Sequence, residues 1–362
     1  MTFEVNSGAD VRQPRLRVLI DGRDVPGVFE ADVVSNNHLS ADLFHVSIAL
    51  AADPRIVNDI GNREEIRVEL QLSLDGGGEY VSLIQGEADS IAIDPLRGLI
   101  RLDGRDLSGR LIETRTREVF VNQTASDIAT TLASRHGLEA DVVETSRIVG
   151  RNWASGRDRL GLAAYGRATT EWDLLVGLAV EEGFGVWVSG ETLHFRPGAD
   201  ERDAVTLGPS DVSSLRLERS LTLAGDIEVV VRTWNVLRQQ AFVQTARRSG
   251  GGRRSGERAR RYVYVIPGLT PDEALRVAQA RLAQITRHER VVAIEMPGDL
   301  TIEPRGRLQL SATGTDFDQD YWVDRVERRI SVAHGFRQTV RARNTSAALA
   351  GGSGEVGPWT DF

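Results

Sequence analysis

The sequence predicts an α+β chain that is mainly β, with two strand-rich regions flanking a middle region of mixed helix and strand. Three observations carry this reading. Ile66, Val68, Leu70, Leu72 and Leu74 alternate with Arg67, Glu69, Gln71 and Ser73, a period of two that puts apolar side chains on one face and polar ones on the other. The 362 residues include 36 Gly and 11 Pro but only 6% aromatics, which suits strands and tight turns better than long helical bundles. Helix-entry signals are few, and they fall in the middle of the chain and once more near residue 270.

The first region, residues 1–105, begins with Leu16, Val18 and Ile20 alternating with Arg15 and Arg17 before the hairpin signal Asp21-Gly22. The long alternating strand over 64–74 follows, and Asp75-Gly76-Gly77-Gly78 turns the chain into a strand at Tyr80–Ile84. Further strands are expected at Ser90–Ile93 and Leu99–Leu102. Several strands with one wet face predict a closed or nearly closed antiparallel barrel.

In the middle region, residues 106–202, Thr124 is placed to cap a helix, with Asp127 at the third position, Ile128 and Leu132 on its apolar stripe and Gly137 just past its end. Thr170 opens a second helix in the same way. Asp173 stands at its third position, Trp172, Leu175, Leu178 and Ala179 face inward, and Gly183 terminates it. Residues 185–196 return to strand, with Trp187 and Phe195 on either side of the turn at Ser189-Gly190.

The third region, residues 203–344, holds strands at 214–223, 226–234, 291–296, 306–310, 321–332 and 336–343. Thr270-Pro271-Asp272-Glu273 combines a cap, a first-turn proline and an acid at the third position, so a helix is expected over 271–288 with Leu275, Ala278, Leu282 and Ile285 inward. Two segments do not read as packed core. Residues 247–261 hold seven Arg and four Gly and are expected to form a flexible loop, and 345–362 form an Ala/Gly/Ser-rich tail ending in Gly357-Pro358-Trp359-Thr360-Asp361-Phe362. The candidate partner contacts lie there: Arg247, Arg248, Arg253, Arg254, Arg258, Arg260, Arg261, Trp359 and Phe362. The competing reading of each is a solvated loop and a frayed terminus.

Composition excludes whole classes of chemistry. Without Cys there is no disulfide, thiolate zinc site, cysteine nucleophile or iron–sulfur cluster. All 44 Lys+Arg residues are Arg, so a P-loop and Schiff-base or pyridoxal chemistry lack their lysine. The net charge of −8 argues against a surface built throughout for nucleic acid, and the Arg cluster has only Tyr262 and Tyr264 beside it for base stacking. No apolar run approaches the length of a membrane span, and Met1–Asp10 has neither the basic start nor the apolar run of a signal peptide.

Searches for catalytic and metal motifs return little. There is no Gly-x-Ser-x-Gly, and His288-Glu289 lacks a second His at the zincin spacing. His38, His45, His136, His194, His288 and His334 are scattered, so no metal, cofactor or catalytic residue is assigned. Asp316, Asp318, Asp320, Asp324 and Glu327 fall at the acidic positions of a calcium-binding EF-hand loop, but Tyr321 stands where that loop needs Gly and the following residues alternate as a strand. An Asp-rich hairpin turn is expected instead. An enzyme would have to draw its acids from Glu171, Glu181 or Glu182, and Glu171 already serves a helix start. A receptor- or polysaccharide-binding protein would want grouped aromatics, whereas the six Trp are spread singly.

Five stretches together resemble the baseplate hub proteins of contractile phage tails, the late control D family, which is similar to the hub part of type VI secretion spikes. They are Arg17-Val-Leu-Ile-Asp-Gly22, Thr124-Ala-Ser-Asp-Ile-Ala129, Thr170–Ala179 with Glu182-Gly-Phe184 and Leu193-His-Phe-Arg-Pro197, the helix Pro271–Ile285, and Ile302-Glu-Pro-Arg-Gly306 with Phe317-x-x-x-Tyr321-x-Val323. None is a catalytic signature. The resemblance implies two tube-like antiparallel β-barrel domains with an α+β insertion between them. It also implies a non-enzymatic homotrimer that joins a hexameric tail tube ring to a spike, alongside other baseplate or tape-measure proteins, in a virion or tail-like particle assembled in the host cytoplasm. The chain stops at Phe362 with no spike segment, so the spike is expected to be a separate polypeptide.

Overall fold

The structure is a computed structural model that describes residues 13–37, 39–115, 120, 122–149, 170–198, 204–235, 240–248 and 259–344. It is mainly β with a few helices, as the sequence implies. In the first region β1 (Arg15–Ile20), β2 (Arg23–Asp24), β3 (Val28–Asn36) and β4 (Leu43–Ala49) lead to the short α1 (Ile56–Ile60). Then come β5 (Arg67–Ser73), β6 (Val81–Asp94) and β7 (Leu99–Asp106). The alternation in β5 does what its period requires: Val68, Leu70 and Leu72 are buried and Arg67 is exposed. Val68 and Leu70 pack with Val18, Val33, Val46, Ile100 and Leu102, and α1 closes this core with Ile56 and Ile60, while Leu72 packs with Ile330 and Phe336. The strands expected at 80–84 and 90–93 are one strand, β6, because a bulge between Ala88 and Ser90 keeps it paired to β7 through the interruption.

The middle region contains α2 (Ser108–Glu113), β8 (Gln123–Thr124), α3 (Ala125–Arg135), β9 (Glu139–Val142), β10 (Ile148–Val149), α4 (Glu171–Glu182), β11 (Phe184–Ser189) and β12 (Thr192–Pro197). Both cap readings hold. Thr124 accepts from the Asp127 N–H and Thr170 from the Asp173 N–H, each with the acid returning to the cap N–H. Gly183 ends α4 in the left-handed region at φ 72°. Ile128, Leu132, Trp172, Leu175, Leu178, Leu193 and Phe195 form a separate core between α3, α4 and the β11–β12 hairpin.

The third region runs through β13 (Val205–Leu207), β14 (Ser214–Arg219), β15 (Ile227–Asn235), β16 (Gln240–Arg248), β17 (Arg260–Val265), α5 (Pro271–Thr286), β18 (Arg290–Pro297), β19 (Arg307–Leu310), β20 (Asp320–Ser331) and β21 (Gly335–Asn344). β14 stops short of its expected end because the chain turns after Ser220, whose carbonyl accepts from the Leu223 N–H. In α5 the buried positions are Ala274, Ala278, Leu282 and Thr286, so Ala278 and Leu282 face inward as expected, Ile285 packs partly buried, and Ala274 in place of Leu275 lets the helix lie close against Val229 and Val231 of β15. β15 is the centre of a three-stranded sheet, antiparallel to β16 and parallel to β17.

The strand pairing does not close either strand-rich region on itself among the described residues. Instead strands of both join one 13-stranded sheet whose order runs β14-β18-β21-β20-β3-β4-β7-β6-β5-β1-β2, with β19 paired to β20 and β13 to β19. The splice is β20. Its first residues pair with β19, a bulge follows between Val323 and Arg325, and Arg325–Ser331 then pair antiparallel with Asn36–Glu30 of β3. The ladder between the two halves is therefore main-chain hydrogen bonding.

Candidate functional site

The Arg-rich segment is less of a loop than its composition implies. Arg247 and Arg248 are the last residues of β16, and Arg260 and Arg261 the first of β17. Strand alternation divides them. Arg247 meets Glu228 of β15 at 2.7 Å, and Arg261 meets the same carboxylate at 3.2 Å. Arg248 instead joins Arg219 in pairing with Glu289, a nearly buried acid after α5. Burial would raise the Glu289 pKa, but the two guanidiniums hold it below the ordinary glutamate value. Arg260 is exposed. Arg253, Arg254, Arg258, Trp359 and Phe362 lie outside the described residues.

The acids an enzyme would need are committed elsewhere. Glu171 is 1% exposed and held by Arg135 and by the His136 ring at 2.6 Å, which ties α3 to α4. Glu181 and Glu182 both pair with Arg147. The EF-hand spacing also disperses. Asp318 accepts from the Thr313 and Gly314 N–H groups, Asp320 pairs with Arg307 at 2.6 Å, Asp324 pairs with Arg343 at 3.0 Å, and Glu327 pairs with Arg325. Tyr321, the residue in place of Gly, is fully buried and donates its hydroxyl to the Phe317 carbonyl. Among the described residues no three His, Cys, Asp or Glu side chains converge on a cation position.

The polar cluster that does converge lies where the three regions meet, and no sequence pattern pointed to it. After β3 the chain bends through Leu39 and returns at Asp42, beside the end of β7. The Asp42 N–H donates to the Asp106 carboxylate at 3.2 Å, and the Asp106 N–H donates to the Asp42 carbonyl. Asp42 accepts from the Asn36 N–H at 2.8 Å, and Asp106 accepts from the Ser108 N–H. Burial pushes Asp42 up to about 7, with the neighbouring Asp106 charge adding to it, and burial pushes Asp106 up to about 6.

Arg305, within the Ile302–Gly306 stretch, adopts a left-handed φ of 71°. From there its guanidinium reaches the Asn36 carbonyl at 3.3 Å and lies 4.4 Å from the centre of the Trp187 ring. Trp187 stacks in turn on His194. A second tie comes from Trp172, whose indole N–H donates to the Leu39 carbonyl at 2.8 Å. Beneath the seam, Arg328 of β20 is 4% exposed and donates to the Ile302 carbonyl at 2.6 Å, while its Nε has no acceptor. Its cross-strand neighbour Gln338 is 2% exposed, and neither atom of its amide is hydrogen-bonded. The one local signal was Arg328 itself, a charge at an inward position of an alternating strand.

No family model matches the chain, and no curated protein does. Solved structures do. A tail protein from Neisseria meningitidis superposes with a TM-score of 0.68 at 16% identity, covering 91% of this chain and 96% of that one. A 43 kDa tail protein of prophage MuSo2 from Shewanella oneidensis gives a TM-score of 0.64 at 13% identity, with 91% and 96% covered. A type VI secretion system component from E. coli, described as structurally similar to bacteriophage T4 tail proteins, gives 0.53 at 12% identity, with 92% and 80% covered. The chain thus has the fold of phage tail proteins, one that also occurs in a type VI secretion component.

Proposed function

We propose that this protein is a structural, non-enzymatic hub of a phage tail or phage-tail-like particle, acting as a homotrimer between a hexameric tail tube ring and a separate spike protein. The observation that carries the reading is the likeness over 91% of the chain to proteins described as tail proteins. The splice at β20 and β3 supports it physically, because main-chain ladder bonds fix two strand-rich units in one orientation within each subunit. Three such subunits would offer six β units to a sixfold ring and a threefold face to a spike. The units are 1–105 and 203–344, with 106–202 inserted between them and 345–362 as a tail. The partner contacts we propose are the Arg-bearing ends of β16 and β17, the Arg253, Arg254 and Arg258 between them, and Trp359 and Phe362, which as aromatics near a terminus suit anchoring in a partner pocket. The engagement of Glu171, Glu181 and Glu182 in ion pairs speaks against a cell-wall hydrolase.

Co-expression with the tube and spike proteins of the same particle tests this. A complex with three copies of this chain per spike trimer is expected. A chain that binds neither protein, or that clears a peptidoglycan suspension, overturns it.

A further inference from the structure

We propose that the Asp42–Asp106 pair is a proton-operated latch at the three-way seam: holding a proton, it locks the β11–β12 hairpin of the middle region against β3 and the 302–306 loop, and losing it loosens that contact. This inference does not depend on the hub reading.

The geometry places the two acids side by side, Asp106 buried at 6% exposure and Asp42 half-buried against it. Their main chains cross-link them, since each residue's N–H is donated to the other residue. The groups around Asp42 come from every element packed there. Ser35 and Asn36 of β3 offer neutral donors, Asp106 at the end of β7 brings a like charge, and the basic groups within electrostatic reach are Arg305 of the loop and Arg328 of β20. Arg105 acts on Asp106, but its guanidinium is committed to Asp89 and Glu113. Arg328 is turned onto the Ile302 carbonyl. Arg305 is shared between the acid pair's surroundings and the middle region, through the Asn36 carbonyl on one side and the Trp187 ring on the other.

A second negative charge in the closed seam must form with reduced hydration and beside the first. Opening the seam admits water and returns both carboxyls toward their ordinary range. The closed arrangement therefore binds more protons than the open one, and by linkage each pH unit between the two ranges costs the closed arrangement up to about tenfold per proton difference. The pKa values of about 7 and about 6 place the change just below neutral pH, with the latch closed on the acid side and loosened on the alkaline side. The Asn36 and Asp42 N–H groups, bonded to the two carboxylates, and the strands carrying Trp187 and His194 would report it.

Hydrogen exchange by mass spectrometry, on the full chain and divided by the intrinsic rate at each pH, reads the latch directly. Protection of residues 36–44 and 184–197 in the native protein is expected to fall about tenfold or more between about pH 5 and pH 8, while the sheet strands β5 and β7 keep theirs. Asp42→Asn, which carries the hydrogen-bonding shape of the protonated acid, is expected to remain protected across the range. Asp106→Asn provides the same comparison should the first variant not fold. A native slope that the Asn variants retain overturns the proposal. So does a pH response confined to 36–44, because a latch must move the hairpin.

Discussion

Replacing Arg328 with methionine is predicted to stabilise the protein, although it deletes a hydrogen bond and a charge. The guanidinium is 4% exposed and burial lowers its pKa, the sign of a charge that pays in desolvation. It donates one hydrogen bond, 2.6 Å to the Ile302 carbonyl, while Nε has no acceptor and the acids Glu303, Asp299 and Asp42 act on it through space. Removing it leaves the Ile302 carbonyl unpaired, at about 1–3 kcal/mol, and loses a charge-assisted bond of similar size. Against this stands the effective desolvation cost of one buried ion, several kcal/mol, which exceeds the attraction when pairing is incomplete. Methionine fills the same length with a flexible apolar chain. The expected net gain is about 1–2 kcal/mol, read as a higher urea midpoint with an unchanged slope. Gln338→Leu beside it should add to the gain, since both atoms of that amide are unbonded. A loss of about 3 kcal/mol or more in Arg328→Met would refute the reasoning, because it would mean that the buried charge is fully compensated where it lies.

Other outcomes follow from the same structure. Asp42, Asp106 and Asp324 are raised from 3.8 to about 7, 6 and 6, so the folded chain holds more protons than the unfolded one between those values; unfolding free energy should fall as pH rises from about 4 to about 7, and Asp324→Asn should flatten part of that slope in urea titrations. Glu289 has the opposite sign, its stabilisation being present above the unfolded glutamate pKa and lost as pH falls through its lowered value, so Glu289→Gln should destabilise at neutral pH and matter less in acid. A Cβ on Gly86 would collide with the Arg105 carbonyl across the β6–β7 ladder, where backbone cannot step aside; Gly86→Ala should cost about 1–3 kcal/mol or more in a thermal or urea melt. Thr170→Ala removes one half of a capping box and should cost about 1 kcal/mol, with Thr170→Ser recovering most of it.

What the sequence disclosed was local. The caps at Thr124, Thr170 and Thr270, the stop at Gly183 and the alternation along β5 each depend on residues within one turn or one strand, and each appears in the structure where its chemistry placed it. What it withheld was long-range pairing. β20 and β3 are joined across almost the whole chain, as in the Arg329–Asp32 ion pair at a separation of 297 residues, and no periodicity encodes which strand an edge will meet. The same holds for the seam. Asp42 and Asp106 are 64 residues apart and belong to segments with no motif, so their meeting is a property of the fold. The Arg-rich stretch misled in a different way. Its Gly and Arg content reads as loop, yet Arg247, Arg248, Arg260 and Arg261 sit in strands, where Glu228 offers Arg247 and Arg261 a partner and Glu289 offers one to Arg248. Composition cannot report a partner supplied from elsewhere in the chain.

Assembly state is the most direct property of a hub, and light scattering after size exclusion, alone and with the spike protein added, measures it. The hub reading predicts a mass of about 119 kDa, three times 39.7 kDa, formed by the chain itself or on the spike. A chain that stays at 39.7 kDa in both samples would contradict it.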